Sequence, residues 1–288
     1  MWLRVAGWLI ILLLPYSCKR EEEVKHEEQG KEGKIIGLEQ KYFNIPSPIQ
    51  IMKILEASNI KFNEEWLLPA DRVIYATTSP DKFFYLGVYM ADFAYSVVCG
   101  SSEKSTVIMT AIAKLLDETG ISGIVKEDVL KSIEKNIGNK DSLLSIASKI
   151  VTDLNVYLQE NKFEEKAVFM LIGGWLKSIF YSSYLYEQTK NNEILKFIVE
   201  QKYSYDNIVF LMKKYSGIAP EINDFLIDMQ ELSSFFSKNE PAIDSVTTTT
   251  DKDKRITKVS VKEKLKTDEQ EISKFRTTIE EILRKKLS

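Results

Sequence analysis

Tyr85, Tyr89, Asp92 and Ser96 form the pattern in this chain best suited to chemistry. They fall at i, i+4, i+7 and i+11, a spacing that puts all four on one face of a helix. Asp92 is the only charged residue between Phe83 and Gly100. A later apolar run, with Gly174, Ser178, Tyr181 and Ser182, offers a comparable face with Trp175 beside it. If the two faces meet across a groove, it would suit a sugar or a peptide. Aromatic rings would supply contact area, and the hydroxyls and one carboxylate would orient the ligand. The plainer expectation is that Asp92 is buried and satisfied by a tyrosine hydroxyl, while the glycines let two helices pack closely. Aromatic stripes at helical spacing usually face a core.

Few other side chains invite chemistry. The single histidine, His26, lies in a charged stretch near the N-terminus. A Ser-His-Asp or Cys-His nucleophile system needs an imidazole in the folded domain, and so does a histidine zinc site. Cys99 reads as a small buried hydrophobe, because no histidine is at hand to activate its thiol. No glycine-rich phosphate loop, nucleophile elbow or CxxC pair occurs. Carboxylate-only catalysis, as in glycoside hydrolases, would need a specific acid pair, and nothing marks one. The sequence therefore points away from an enzyme and implies no cofactor and no metal. A net charge of −3 lacks the basic stripe that nucleic acid requires.

The elements that must position these residues read as helices. Ser47, Pro48 and Gln50 form a start signal for a first helix ending near Asn59. Residues 60–78 read as an irregular packed segment with Trp66 and Pro69. Ser79-Pro80 starts the strongly apolar run 83–98. Further helices are expected over 103–118, 126–136, 141–161, 164–189, 193–201 and 206–215, and after Pro220 as far as 238. Gly100, Gly120 and Gly138 separate the early ones. The fold class is all-α: a multi-helix bundle or short helical solenoid of about eight or nine helices, with short connections. GVYMADFAYS from Gly87 and GGWLKSIFYS from Gly173 echo each other, and Ser122-Gly123-Ile124 recurs as Ser216-Gly217-Ile218. These echoes hint at an internal duplication, a domain of two repeated halves.

The composition changes near the C-terminus. Residues 240–262, polar and rich in threonine, read as a disordered linker. Residues 263–288 read as an amphipathic helix capped by Thr267, with Ile272, Phe275, Ile279 and Ile282 on one stripe. The stripe should dock on the domain or on a partner protein.

The N-terminus carries an address. Arg4 precedes an apolar run over residues 5–14 that Pro15 ends. A membrane-crossing helix needs about 20 apolar residues, so this run fits a cleaved secretory signal over 1–17. Leu14-Pro15-Tyr16-Ser17-Cys18 resembles the lipobox of bacterial lipoproteins. The resemblance implies that Cys18 is lipidated and becomes the first residue of the mature chain. Several acyl chains would hold it to a membrane without a spanning helix. Lys19-Arg20-Glu21-Glu22-Glu23 resembles the export signal of Bacteroidota-type surface lipoproteins, with Arg20 between the lysine and the acids. Residues 18–35 read as a charged flexible tether, and 36–239 as the globular domain.

The expected function is that of a lipid-anchored outer-membrane protein, at the cell surface or the periplasmic face, acting as a non-enzymatic binding or scaffold protein. The alternative is a periplasmic helical protein that binds a sugar or peptide in the Asp92 groove.

Overall fold

A computed structural model describes residues 61–288, apart from 122, 124–126, 137, 240–241, 252–255 and 265–266. The signal, the tether and the helix expected over 47–59 lie outside the described residues.

Among the described residues there are nine α-helices, as the all-α reading expects. They are α1 (Ser79–Val98), α2 (Ser102–Glu118), α3 (Glu127–Lys135), α4 (Lys140–Glu160) and α5 (Glu164–Thr189). There follow α6 (Asn192–Glu200), α7 (Lys202–Tyr215), α8 (Ile222–Lys238) and α9 (Glu269–Lys286). Two short 3₁₀ turns, Glu64–Trp66 and Ala70–Tyr75, precede α1. None of the described helices is long and apolar enough to cross a membrane.

Helices α1 and α5 form the axis of the bundle. Both are buried on nearly every side, which is why their sequences are apolar around the whole helix rather than along one stripe. A capping box starts α1. Thr78 accepts from the Asp81 backbone N–H, and the Asp81 carboxylate accepts from that of Thr78. Pro80 fits the first turn, where its missing N–H costs nothing. Gly100 and Gly120 take positive φ, 76° in both, and let the chain leave α1 and α2.

The α1–α5 contact is unusually close, and glycine makes it so. A Cβ on Gly87 would sit 2.0 Å from the Met170 carbonyl oxygen, and one on Gly173 would sit 2.2 Å from that of Phe84. The two helices run in the same direction, with Gly87 against Gly174 and, further along, Asp92 against Tyr181. The echoing segments therefore meet each other. Gly87 approaches the residue three before Gly173, Gly173 approaches the residue three before Gly87, and the matched Tyr95 and Tyr181 stack at 4.3 Å. The second echo falls partly on residues 122 and 124, outside the described set.

The remaining helices wrap this axis. α2 and α4 pack on α1, while α4, α6, α7 and α9 pack on α5. The last helix docks within the chain. Ile272, Phe275, Ile279, Ile282 and Leu283 are buried, and Phe275 stacks on Phe235 of α8 at 3.9 Å. Lys285 and Lys286 reach the buried Asp228 at 2.5 and 2.9 Å, and Arg276 reaches Glu187 at 3.0 Å. The apolar stripe is thus covered by α5 and α8. The N-cap of α9 is Asp268, accepting from the Glu271 N–H, one residue beyond the expected Thr267.

The expected linker over 240–262 is a correction. Ala242–Asp251 (β1) and Ile256–Lys264 (β2) pair antiparallel as a hairpin, with Val246 opposite Val261 and Thr248 opposite Val259. Polarity suggested disorder, but threonine and valine are β-branched and favour the extended chain.

The close crossing gives the first test. Gly87→Ala must push the two helix backbones apart, an overpacking cost of about 1–3 kcal/mol. At roughly 2–4 °C per kcal/mol, the melting temperature should fall by several degrees. Gly217→Ala, where an added Cβ meets nothing within 4 Å, should leave it unchanged. Equal melting temperatures for the two variants would contradict the close contact.

Candidate functional site

The side chains flagged in the sequence surround Asp92, and the groove between them is already filled. Residues 63–69 lie across α1 and α5 as a strap, and four buried side chains hold it by its backbone. The Leu68 N–H donates to Asp92 Oδ2 at 2.7 Å. Lys177 Nζ donates to the Trp66 carbonyl at 2.6 Å. The Tyr89 hydroxyl donates to the Pro69 carbonyl at 2.9 Å, and the Asn63 N–H donates to the Tyr95 hydroxyl at 3.0 Å. Beyond its single 3₁₀ turn the segment has no helix or sheet ladder to satisfy its peptide groups, so side chains take part in doing so.

Asp92 is the hub. It is fully buried, and its Oδ1 accepts from the Tyr181 hydroxyl at 2.6 Å and faces Lys177 Nζ at 3.5 Å. Two hydrogen-bond donors and an amine converge on it, the arrangement of an ionised carboxylate, which only accepts. Lys177 is also buried, and its carbonyl partner suits an ammonium. Burial opposes both charges. It pushes the Asp92 carboxyl up, against the pull of Lys177, Tyr181 and the Leu68 amide. It pushes the Lys177 amine down, against the pull of Asp92. Burial and the neighbouring Asp92 hold the Tyr181 phenol well above its usual range, so it stays a donor.

Rings complete the strap's seat. Trp66 packs among Tyr95, Tyr181 and Tyr184, with centroids 5.9, 6.4 and 4.9 Å away. Lys177 lies 4.8 Å from the Phe180 ring centroid.

The sequence-flagged residues do not share one setting. Tyr89, Asp92 and Tyr181 join the network. Ser96 turns towards α2, donating to the Phe93 carbonyl and meeting Ser105 Oγ at 2.8 Å. Trp175 points to another side of α5, where its indole N–H donates to Gln201 Oε1 at 3.1 Å beside Tyr205 and Phe236. Ser178 is half-buried, and its carbonyl accepts from Ser182. Tyr85 is buried with its hydroxyl unpartnered by any protein group. The shared groove of two faces is therefore a correction. The aligned residues diverge because a fully buried helix contacts different neighbours around its circumference.

Sequence reading missed Lys177 and the strap. The signal for Lys177 was present: it is the only charged residue between Lys166 and Glu187. Chemically, the arrangement is a lysine–aspartate–tyrosine cluster whose donors and acceptors are spent on the chain itself. Its carboxylate faces an ammonium and a phenol rather than the second acid that glycoside hydrolysis uses.

Comparison with protein-family models, curated proteins and solved structures finds no match to this chain.

Two tests follow. Removing one member of a buried ion pair strands the other charge, at about 3–5 kcal/mol. Asp92→Asn should therefore lower the melting temperature, and its pH response should identify the cause. In the native chain Asp92 and Lys177 hold one proton between them, folded or unfolded, so their opposite shifts cancel near neutrality. In Asp92→Asn the counter-pull of Asp92 is gone and burial alone pushes the Lys177 amine down, so the fold holds its proton less tightly than the unfolded chain, where lysine stays charged below about pH 10. The unfolded state then binds more protons, so stability should rise from pH 7 to 9 in the variant and not in the native chain. A flat profile in thermal unfolding would contradict the assignment. The second test is Tyr85→Phe, which removes a buried hydroxyl without a protein partner and should leave the melting temperature unchanged or higher. Tyr181→Phe should lower it, by about 1–3 kcal/mol of stability. The reverse order would refute the reading.

Proposed function

We propose that the chain is a lipid-anchored outer-membrane protein acting as a non-enzymatic binding or scaffold module. One observation carries this reading. The chemistry-bearing groups at the centre of the bundle are consumed in fixing residues 63–69 to the core. In this reading Cys18 is acylated, and the charged stretch after it is a tether. Four buried side-chain-to-backbone bonds and a buried tryptophan hold residues 63–69 to the core. Ordering Trp66 alone, at about 150–250 Å² and ~25 cal/mol per Å², contributes an upper estimate of about 4–6 kcal/mol. The filled groove favours this reading over a sugar- or peptide-binding site at Asp92. The acidic run Glu21-Glu22-Glu23 favours display at the cell surface over the periplasmic face.

The anchor is tested by labelling cells with an alkyne fatty acid. The native chain should incorporate the label and fractionate with membranes. Cys18→Ser should incorporate none. Continued labelling of Cys18→Ser, or an unlabelled native chain, would overturn the proposal.

A further inference from the structure

Helix α9 lies in a seat between α5 and α8, and it is fastened differently from the strap. Among the described residues no hydrogen bond from its backbone reaches another element, and side chains alone hold it. Ile272, Phe275, Ile279 and Ile282 fall at i, i+3, i+7 and i+10 and are buried in the seat, with Phe275 against Phe235 and Phe236. The two ends of the seat carry opposite charge. At one end Lys190 and Lys238 meet Glu269 and Glu271 of the first turn of α9, at 3.0 and 3.7 Å. At the other end the buried Asp228 meets Lys285 and Lys286 of the last turn. Asp224 and Glu231, both exposed, lie four residues before and three after Asp228 and share its face of α8. Exposed ion pairs contribute little each. Asp228 is different, because an apolar side chain would serve a permanent core position as well. A buried charge in a seat selects what sits there. Residues 239–268 separate α8 from α9, so α9 can leave without drawing a neighbouring helix after it. A helix held by one stripe of side chains is a unit that opens by itself.

We infer that the α5/α8 seat is a helix-binding groove, closed by the chain's own α9, that takes an amphipathic helix of a partner protein. That helix has acids in its first turn, apolar residues at i, i+3, i+7 and i+10, and basic residues at i+13 and i+14. This is the pattern with which α9 fills the groove, and grooves of this kind read a helix through such anchors. The opposite charges at the two ends fix the direction in which the helix lies. A second copy's α9 brings no contact that the chain's own lacks, and the chain's own is held at its seat at an effective concentration on the order of millimolar. The groove therefore answers to a foreign helix. The inference rests on the reading of the chain as a binding module. It does not involve the lipid anchor, which the fatty-acid label tests separately.

A fluorescent peptide of residues 267–288 stands in for the partner helix, and its anisotropy is read against the full chain in mild detergent. Lys285→Gln with Lys286→Gln in the chain strands Asp228 beneath α9 and loosens that helix. This variant should bind the peptide more tightly than the native chain does, by roughly tenfold or more. A peptide carrying the same two substitutions should bind the variant less tightly than the native peptide does. Asp228→Asn in the chain should abolish that difference between the peptides. In the native chain, hydrogen exchange of the Ile279 amide should report an opening free energy well below that of the Phe93 amide in α1. Four results overturn the inference: a native peptide that fails to bind the variant, equal binding of both peptides to it, a difference that survives Asp228→Asn, or an Ile279 amide that exchanges only with Phe93. A native chain that sediments at twice its single mass, and returns to single mass when free peptide is added, assigns the groove to a second copy and overturns the foreign helix.

Discussion

The contact between Asp92 and Lys177 is the constraint on which the rest depends. Neither charge survives burial alone, and each is made tolerable by the other together with backbone partners from one short segment. A buried ion pair is weak evidence of stability, since apolar replacements often do as well. What this pair adds is position. Hydrophobic contact would let residues 63–69 slide along the bundle, as one apolar surface is much like another. The Trp66 carbonyl and the Leu68 amide have single partners at fixed points on α5 and α1. The strap has one register in consequence.

That arrangement needs two helices close enough for one side chain from each to meet over a third segment. The glycine crossing supplies this closeness. Gly87, Gly173 and Gly174 bring the α1 and α5 backbones into contact below the network, and the stacked Tyr95 and Tyr181 lie above it. The local two-fold relation between the echoing segments has a break at its centre. The position matching Asp92 in the second segment is Ser178, and the position matching Lys177 in the first is Ala91. A symmetric pair would place like beside like. The break allows one negative and one positive charge, which an interior can hold, in place of two of the same sign.

Most of the helical frame was legible, because apolar periodicity, capping residues and glycine stops agree with tertiary packing in those segments. The burial of Asp92 was also legible, from one carboxylate in an apolar run. The partner was not. Lys177 carries the same signal as Asp92, but a long aliphatic stem makes an isolated lysine easy to dismiss as snorkelling. The strap's sequence reads as irregular and packed, yet its role lies in backbone groups that the sequence does not display. Trp175 and Ser96 show the limit of face arguments: on a helix buried all round, sharing a face does not imply sharing a site. The hairpin was hidden by composition, although Lys258-Val259-Ser260-Val261-Lys262 alternates with the period of a strand.

The central claim is that the buried network locks the strap to the bundle core. The most direct measurement is native-state hydrogen exchange of the Leu68 amide, followed by NMR. If that N–H is held by Asp92 as described, it should exchange only when the whole domain unfolds. Its opening free energy should then match those of amides in the middle of α1. Exchange at the rate of an exposed loop, or through an opening of far lower free energy than α1 shows, would mean that the strap lifts freely and would contradict the account.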